Sequence, residues 1–370
     1  MKKIRLIYII IFALLIITPT AYMLATPDKD YSENENRYLQ TRPQLSISSF
    51  MDKTLQDDIT SYVSDQFPLR DKLMQTTTVI KKLLGYKDIG GVYLGNDNYY
   101  FEKITDDDVS LSKFAANLSA FDKFTSENNI NAHVMLIPSS GNILKDKLPA
   151  GASVYDGAAL TQKAMDTLSH AKLVDVTSAL KSAVKDERAV YYKTDHHWTT
   201  YGAYVGYKAF AEVAGLSEKS YDYFKPSVVS DEFYGTLYSK ALDKAAVADD
   251  MELISNIPDA TVSGNDTGTV YDNAKLEVKD KYAVFFGGNY GELVITTGAG
   301  TGKSLLVIKD SFANSMVPYL MEDYDTIVMV DLRYYSMGVS QLIEQYNCDE
   351  ALLVYEMSNL ANDANFFKLQ

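Results

Sequence analysis

An unbroken apolar run from Leu6 to Ile17 opens the chain, with Lys2, Lys3 and Arg5 before it and no further charge until Asp28. At about 1.5 Å per residue, the uncharged stretch 6–27 is long enough to cross a hydrocarbon core of about 30 Å. The basic flank predicts a cytoplasmic start with the rest of the chain outside. Met23-Leu24-Ala25 fits a small-residue cleavage site poorly. Residues 1–27 are therefore expected to be a retained single-pass membrane anchor; if they were cut, the protein would be secreted. Residues 28–49 are polar and punctuated by proline, as in a linker. From Met51 to Leu84 apolar residues return at helical spacing (Met51, Leu55, Ile59, Tyr62 and Val63, then Leu73, Ile80, Leu83 and Leu84), and Pro68 splits them into two short helices. Together 28–90 form a linker with short helices.

Beyond residue 90 the texture changes. Val92–Leu94 and Tyr99–Phe101 flank Gly95-Asn96-Asp97-Asn98, a hairpin pattern. A helix follows with Leu111, Phe114, Leu118 and Phe121 on one face. The short apolar runs 133–137, 173–176, 283–286, 305–308, 327–330 and 352–355 read as buried strands with helical patterns between several of them. That alternation predicts an α/β domain over 91–370 with a mostly parallel, doubly wound sheet. Residues 226–280 are polar, acidic and turn-rich, and read as an insertion in that domain.

Composition narrows the function. The 370 residues carry 35 Lys and Arg against 49 Asp and Glu, a formal charge of −14, which repels phosphate backbones and argues against nucleic acid as a partner. The single cysteine, Cys348, excludes an internal disulfide and a Cys-rich zinc site. The 28 Tyr and 15 Phe suit sugar-facing surfaces as well as ordinary core.

Candidate chemistry is concentrated in two segments. Tyr191–Gly202 holds Asp195, His196, His197 and Trp198: two of the four histidines and the only tryptophan. In Leu306–Ser315 an apolar strand runs into Asp310-Ser311. Sites in open α/β sheets form outside the carboxyl ends of strands. A serine there is exposed beside helix-start amides, and it becomes a nucleophile when an imidazole takes its proton and a carboxylate orients that imidazole. Ser311, His197 and Asp195 supply these groups, and the carboxylate partner is expected to raise the imidazole pKa. Two ordinary readings stand beside this: a serine after a strand as a helix cap, and the His pair with Asp195 as metal ligands, for which no third or fourth ligand is evident. His133 reads as a satisfied core histidine and His170 as a surface one. No metal and no cofactor is expected.

Asp195-His196-His197-Trp198 is the signature of the DHHW family, which this chain resembles. The resemblance continues through Glu35-Asn36-Arg37, Asp65–Arg70, Gly91–Gly95, Gly287-Gly288-Asn289, Lys309–Ser315 and Asp331–Tyr335. That family is similar to the extracytoplasmic proteins of alginate and polysaccharide O-acetylation, with an SGNH hydrolase-like α/β/α fold and a motif order in which Asp-x-His precedes the serine. The resemblance implies Ser311 as nucleophile, His197 as general base and Asp195 as its orienting partner. His196 and Trp198 are in supporting or substrate-contacting places, and Asn289, Asn314 and Arg333 are candidate oxyanion or substrate contacts. Lys309 stands where ordinary SGNH hydrolases have glycine before Asp-Ser. The implied function is serine-dependent acetyl transfer to or from a cell-envelope or secreted polysaccharide, as transferase or esterase, with a multipass membrane O-acyltransferase as the partner supplying acetyl groups. The competing class is a non-catalytic polysaccharide-binding protein that keeps the fold.

Overall fold

The computed structural model describes residues 2–35, 37–186 and 188–369, which divide into two compact units. Asn36 of the upstream motif lies outside the described residues. The first unit comprises 1–86 with 239–245, the second 87–238 with 246–370.

In the first unit, α1 (Lys2–Ala25) is followed by α2 (Ile47–Met51), α3 (Thr54–Gln66) and α4 (Arg70–Leu83), the last two separated at Phe67-Pro68-Leu69. A segment of α1, Lys3–Ala25, is long and apolar enough to cross a membrane. The motif residues of this unit pair with one another. Asp65 accepts from the Arg37 guanidinium (Nη1, 2.9 Å) and the Gln40 amide (2.9 Å), while Arg70 pairs with Glu35. Thr78 and Lys82 of α4 bind the Ala241 carbonyl (2.7 Å) and the Asp243 carboxylate (2.5 Å), joining 239–245 to this unit.

The second unit is built on seven strands: β1 (Asn131–Ile137), β2 (Lys172–Val174), β3 (Ala260–Ser263), β4 (Glu292–Thr297), β5 (Ser304–Lys309), β6 (Thr326–Val330) and β7 (Glu350–Glu356). Across the sheet they run β3-β4-β6-β5-β7-β1-β2. The five strands from β6 to β2 are parallel, and β3 and β4 close one edge antiparallel. Alternation along each strand feeds two cores, as a period of two requires. Leu305 and Val307 face one core, with Val205 and Phe210 of the helix Thr200–Ala214; Leu306 and Ile308 face the other, with Phe114, Leu118 and Phe121 of the helix Leu111–Glu127. The result is an α/β/α sandwich with a mostly parallel sheet.

Two segments differ from the sequence reading. Residues 283–286 are not a strand: Lys281–Val284 form a 3-10 turn, and only Phe285 bridges, to Tyr271. The chain there turns through left-handed conformations at Phe286 (φ 61°), Gly287 (84°) and Gly288 (126°), so it cannot extend. Its apolar run records burial in the core, not pairing. Conversely, β4 lies outside the apolar runs of the sequence because its Glu-Leu-Val-Ile-Thr-Thr stretch is only half apolar. Within 226–280 the chain forms an antiparallel pair, Pro226–Phe233 with Asp249–Ile254, and contributes β3 to the sheet.

Candidate active site

β5 ends beside the crossover where neighbouring strands are reached in opposite directions, the place where an open sheet leaves a crevice. Past its end, Asp310 is wholly buried and organises the turn. Its Oδ1 accepts the Phe312 amide (3.0 Å), and its Oδ2 accepts the Glu356 amide and the Asn359 side chain (2.8 Å each). Ser311 follows, half-buried, just before the helix Ala313–Leu320.

The Asp195–Trp198 loop is shaped by three devices. The Asp249 carboxylate accepts the amides of Lys193 (2.7 Å) and Thr194 (2.8 Å) and the Thr194 hydroxyl (2.6 Å). The Thr199 hydroxyl accepts the Gly202 amide (3.0 Å), capping the helix Thr200–Ala214. Trp198, fully buried, donates from Nε1 to the Phe312 carbonyl (3.0 Å) and the Ser315 hydroxyl (2.9 Å), so the indole fastens this loop to the turn that carries Ser311.

These constraints put Asp195, His197 and Ser311 in one line. His197 Nδ1 lies 2.6 Å from Asp195 Oδ1, and its Nε2 lies 2.7 Å from Ser311 Oγ. A carboxylate only accepts, so Nδ1 carries the hydrogen; Nε2 then accepts from the serine hydroxyl. Asp195 Oδ1 also accepts the His197 amide (2.9 Å), and Oδ2 accepts the Thr236 amide (2.8 Å) and hydroxyl (3.2 Å). Gly235 lets that second oxygen in: a Cβ there would stand 2.2 Å from Asp195 Oδ2.

Burial alone would push the Asp195 carboxyl up. The imidazoles of His196 and His197 and the hydrogen bonds it accepts overcome this and hold it well below the usual carboxylate range. Burial is also the largest influence on His197 and, with the His196 charge, brings its imidazole down to about 4 against the pull of Asp195. The expectation of a raised imidazole is thereby reversed, because desolvation outweighs the carboxylate. Tyr282 does much of the covering: its ring stacks on His197 at 3.7 Å and 7°, and its hydroxyl binds the Ser311 carbonyl and Ser315 (3.1 Å each). His196 is only half-buried, with Nδ1 2.7 Å from the Thr236 hydroxyl and no direct bond to Ser311.

Asn289, Asn314 and Arg333 meet through Lys309. The Lys309 ammonium, fully buried, donates to Asn289 Oδ1 (3.0 Å) and Asn314 Oδ1 (2.9 Å) and lies 3.7 Å from Asp331, while burial lowers it to about 8. Asn314 Nδ2 donates to Asn289 Oδ1 (3.1 Å), so that oxygen accepts from both Lys309 and Asn314. Arg333 is held on Asp331 by Nε (2.9 Å) and Nη2 (2.6 Å).

Asp195, His196 and His197 place three ligand-type atoms within 4.8 Å. Bonds to His197, Thr236 and Ser311 already occupy Asp195 and both nitrogens of His197, so the set suits proton transfer better than a cation. His133 is buried as expected but not satisfied: among the described residues neither ring nitrogen has a partner, and burial lowers its pKa, keeping the ring neutral edge-on to Phe210. His170 is exposed. Sequence reasoning missed Tyr282, Thr236 and Asp249. One tyrosine among 28 carries no signal of its own.

This sandwich, with Asp-x-His ahead of a serine at the end of the central strand, is the SGNH hydrolase-like fold. Residues 176–330 match the model of the DHHW protein family. The structure resembles a DHHW family protein from Eubacterium siraeum (TM-score 0.66, 20% identity, covering 75% of this chain and 94% of that one). It also resembles Bacillus cereus PatB1, solved with a sulfonyl adduct (TM-score 0.62, 23% identity, 75% and 98%). No curated protein sequence matches the chain.

Proposed function

We propose that this protein is an extracytoplasmic serine-dependent acyltransferase that places acetyl groups on, or removes them from, a cell-envelope or secreted polysaccharide. The observation that carries the reading is the single imidazole bridging a buried carboxylate and a half-buried serine hydroxyl. Ser311 Oγ attacks the carbonyl carbon of an acetyl ester as its proton passes to His197 Nε2, and Asp195 stabilises the imidazolium. The carbonyl oxygen becomes an oxyanion, with the Ser311 amide and the Asn289 NH2 as its donors. Collapse breaks the ester bond, and the leaving oxygen takes the proton from His197. A sugar hydroxyl then repeats the sequence on the acetyl-serine; water in its place makes the enzyme an esterase. A multipass membrane O-acyltransferase is the proposed source of acetyl groups. The apolar Lys3–Ala25 segment, read as an anchor, keeps the enzyme at the membrane surface.

A chromogenic acetyl ester and a sulfonyl fluoride probe test this. Both should modify Ser311, located by peptide mass, and Ser311→Ala should lose the adducts and turnover while remaining folded. Turnover at the parent rate by folded Ser311→Ala removes the nucleophile assignment. A parent protein inert to both reagents makes the chain a polysaccharide-binding relative.

A further inference from the structure

Inside the first unit, α1 and α3 flank a groove of about 550 Å³. One wall is α1 from Leu15 to Leu24; the other carries Ile59 and Val63 of α3 and Phe67 just past its end, side chains left substantially exposed. Above the groove runs a polar belt. Arg42 donates to the Met23 carbonyl (3.3 Å) and lies 3.6 Å from Asp28, Tyr62 donates to Asp28 (3.1 Å), and Gln66 exchanges two bonds with the Lys29 backbone (3.0 and 2.9 Å). Below the belt the α1 wall bears one hydroxyl, Thr20, which already donates to the Ile16 carbonyl (2.8 Å). Pro19 has no N–H and that hydroxyl is already committed, so among the described residues this wall offers no charge and no free side-chain donor.

The belt also sets a level. From Met23 back to Ile4 are 20 residues, about 30 Å of helix, the thickness of a hydrocarbon core, with Arg5 and Lys3 at the far end. Tyr62 and Arg42 are side chains that settle at a membrane–water boundary. Leu15 to Leu24 then covers about 14 Å below that boundary. On α3 the helical period puts Asp57, Asp58 and Ser61 on the side away from Ile59 and Val63, the arrangement of a helix lying in an interface.

We propose that α3 lies in the outer membrane–water interface beside its own anchor, with lipid acyl chains filling the groove. This rests on the reading of α1 as a retained membrane anchor. The occupant is lipid because the groove continues the surface of the helix that the bilayer must already surround, and because its α1 wall is almost wholly apolar and carries no charge.

The test uses the full-length protein in phosphatidylcholine–phosphatidylglycerol vesicles with or without bromine on the acyl chains. Trp198, fully buried, gives a constant background. Three single variants add a reporter: Phe67→Trp on the groove, Ser61→Trp on the opposite side, and Ile10→Trp in α1. Brominated lipid should cut the added emission at least twofold for Phe67→Trp and Ile10→Trp, and leave Ser61→Trp open to aqueous acrylamide. If Ile10→Trp is quenched by lipid while Phe67→Trp responds only to acrylamide, the groove faces water and the proposal falls though the anchor stands. Protection of Phe67→Trp from both quenchers means that protein covers the groove and likewise overturns lipid. If Ile10→Trp also escapes lipid, the anchor reading fails and takes the proposal with it.

Discussion

His196 and His197 are adjacent residues with different surroundings. His197 lies between Asp195 and Ser311, whereas His196 bonds to Thr236 and approaches Asp195 no closer than 3.5 Å. His197→Ala should lower ester turnover by about 10²–10⁴-fold, the usual worth of a positioned general base, while His196→Ala should keep it within about tenfold; steady-state kinetics on the two folded variants decide. The pH profile carries a second expectation. The reaction needs neutral imidazole, and burial brings the His197 pKa down to about 4. The enzyme should therefore hold its kcat/KM well below pH 6 and lose it as pH falls through about 4, not near the ~6.5 of an exposed histidine. Tyr282→Ala uncovers the ring; the acid limb should then move upward, toward that ordinary value. A limb near 6.5 in the parent would show that desolvation does not govern this imidazole.

At the level of elements, the site depends on how closely loops approach. Gly235→Ala would put a methyl 2.2 Å from Asp195 Oδ2 and displace the carboxylate or the Thr236 amide that fixes it. The variant should lose at least about tenfold in kcat with its circular dichroism spectrum retained; parent-like kcat would mean the loop relaxes freely. What the sequence makes legible follows from the same distinction. β1, β5, β6 and β7 each carry a run of buried apolar residues, 134–137, 305–308, 327–330 and 351–355, and a run of that kind is visible without any tertiary knowledge. Asp195, His197 and Ser311 are visible because few residue types do this chemistry. Residues 283–286 are equally apolar, yet positive φ at Phe286 and two glycines bends them out of the sheet, a fact of backbone conformation that hydropathy does not encode. Lys309 looks like a departure from its motif until Asn289, Asn314 and Asp331 are seen around its ammonium. Those partners lie 5 to 22 residues away, and only the fold brings them to one point.

At the scale of the whole molecule, β7 lies between β5 and β1, and its Glu356 amide binds Asp310 beside Ser311. Removing residues 350–370 should abolish cooperative unfolding of the second unit and leave it sensitive to protease at neutral pH; a truncated chain that still melts cooperatively would mean the two halves of the sheet close without it. The position of this strand also has a consequence in time. Translation delivers β7 after every other strand, and parallel pairing between distant segments is slow. A nascent or half-translocated chain therefore holds Asp195, His197 and Ser311 without the strand that brings their supports together. On the function proposed above, ester cleavage would stay silent until β7 threads into the middle of the sheet, so an intermediate still crossing a membrane would have no assembled site with which to cleave the esters around it.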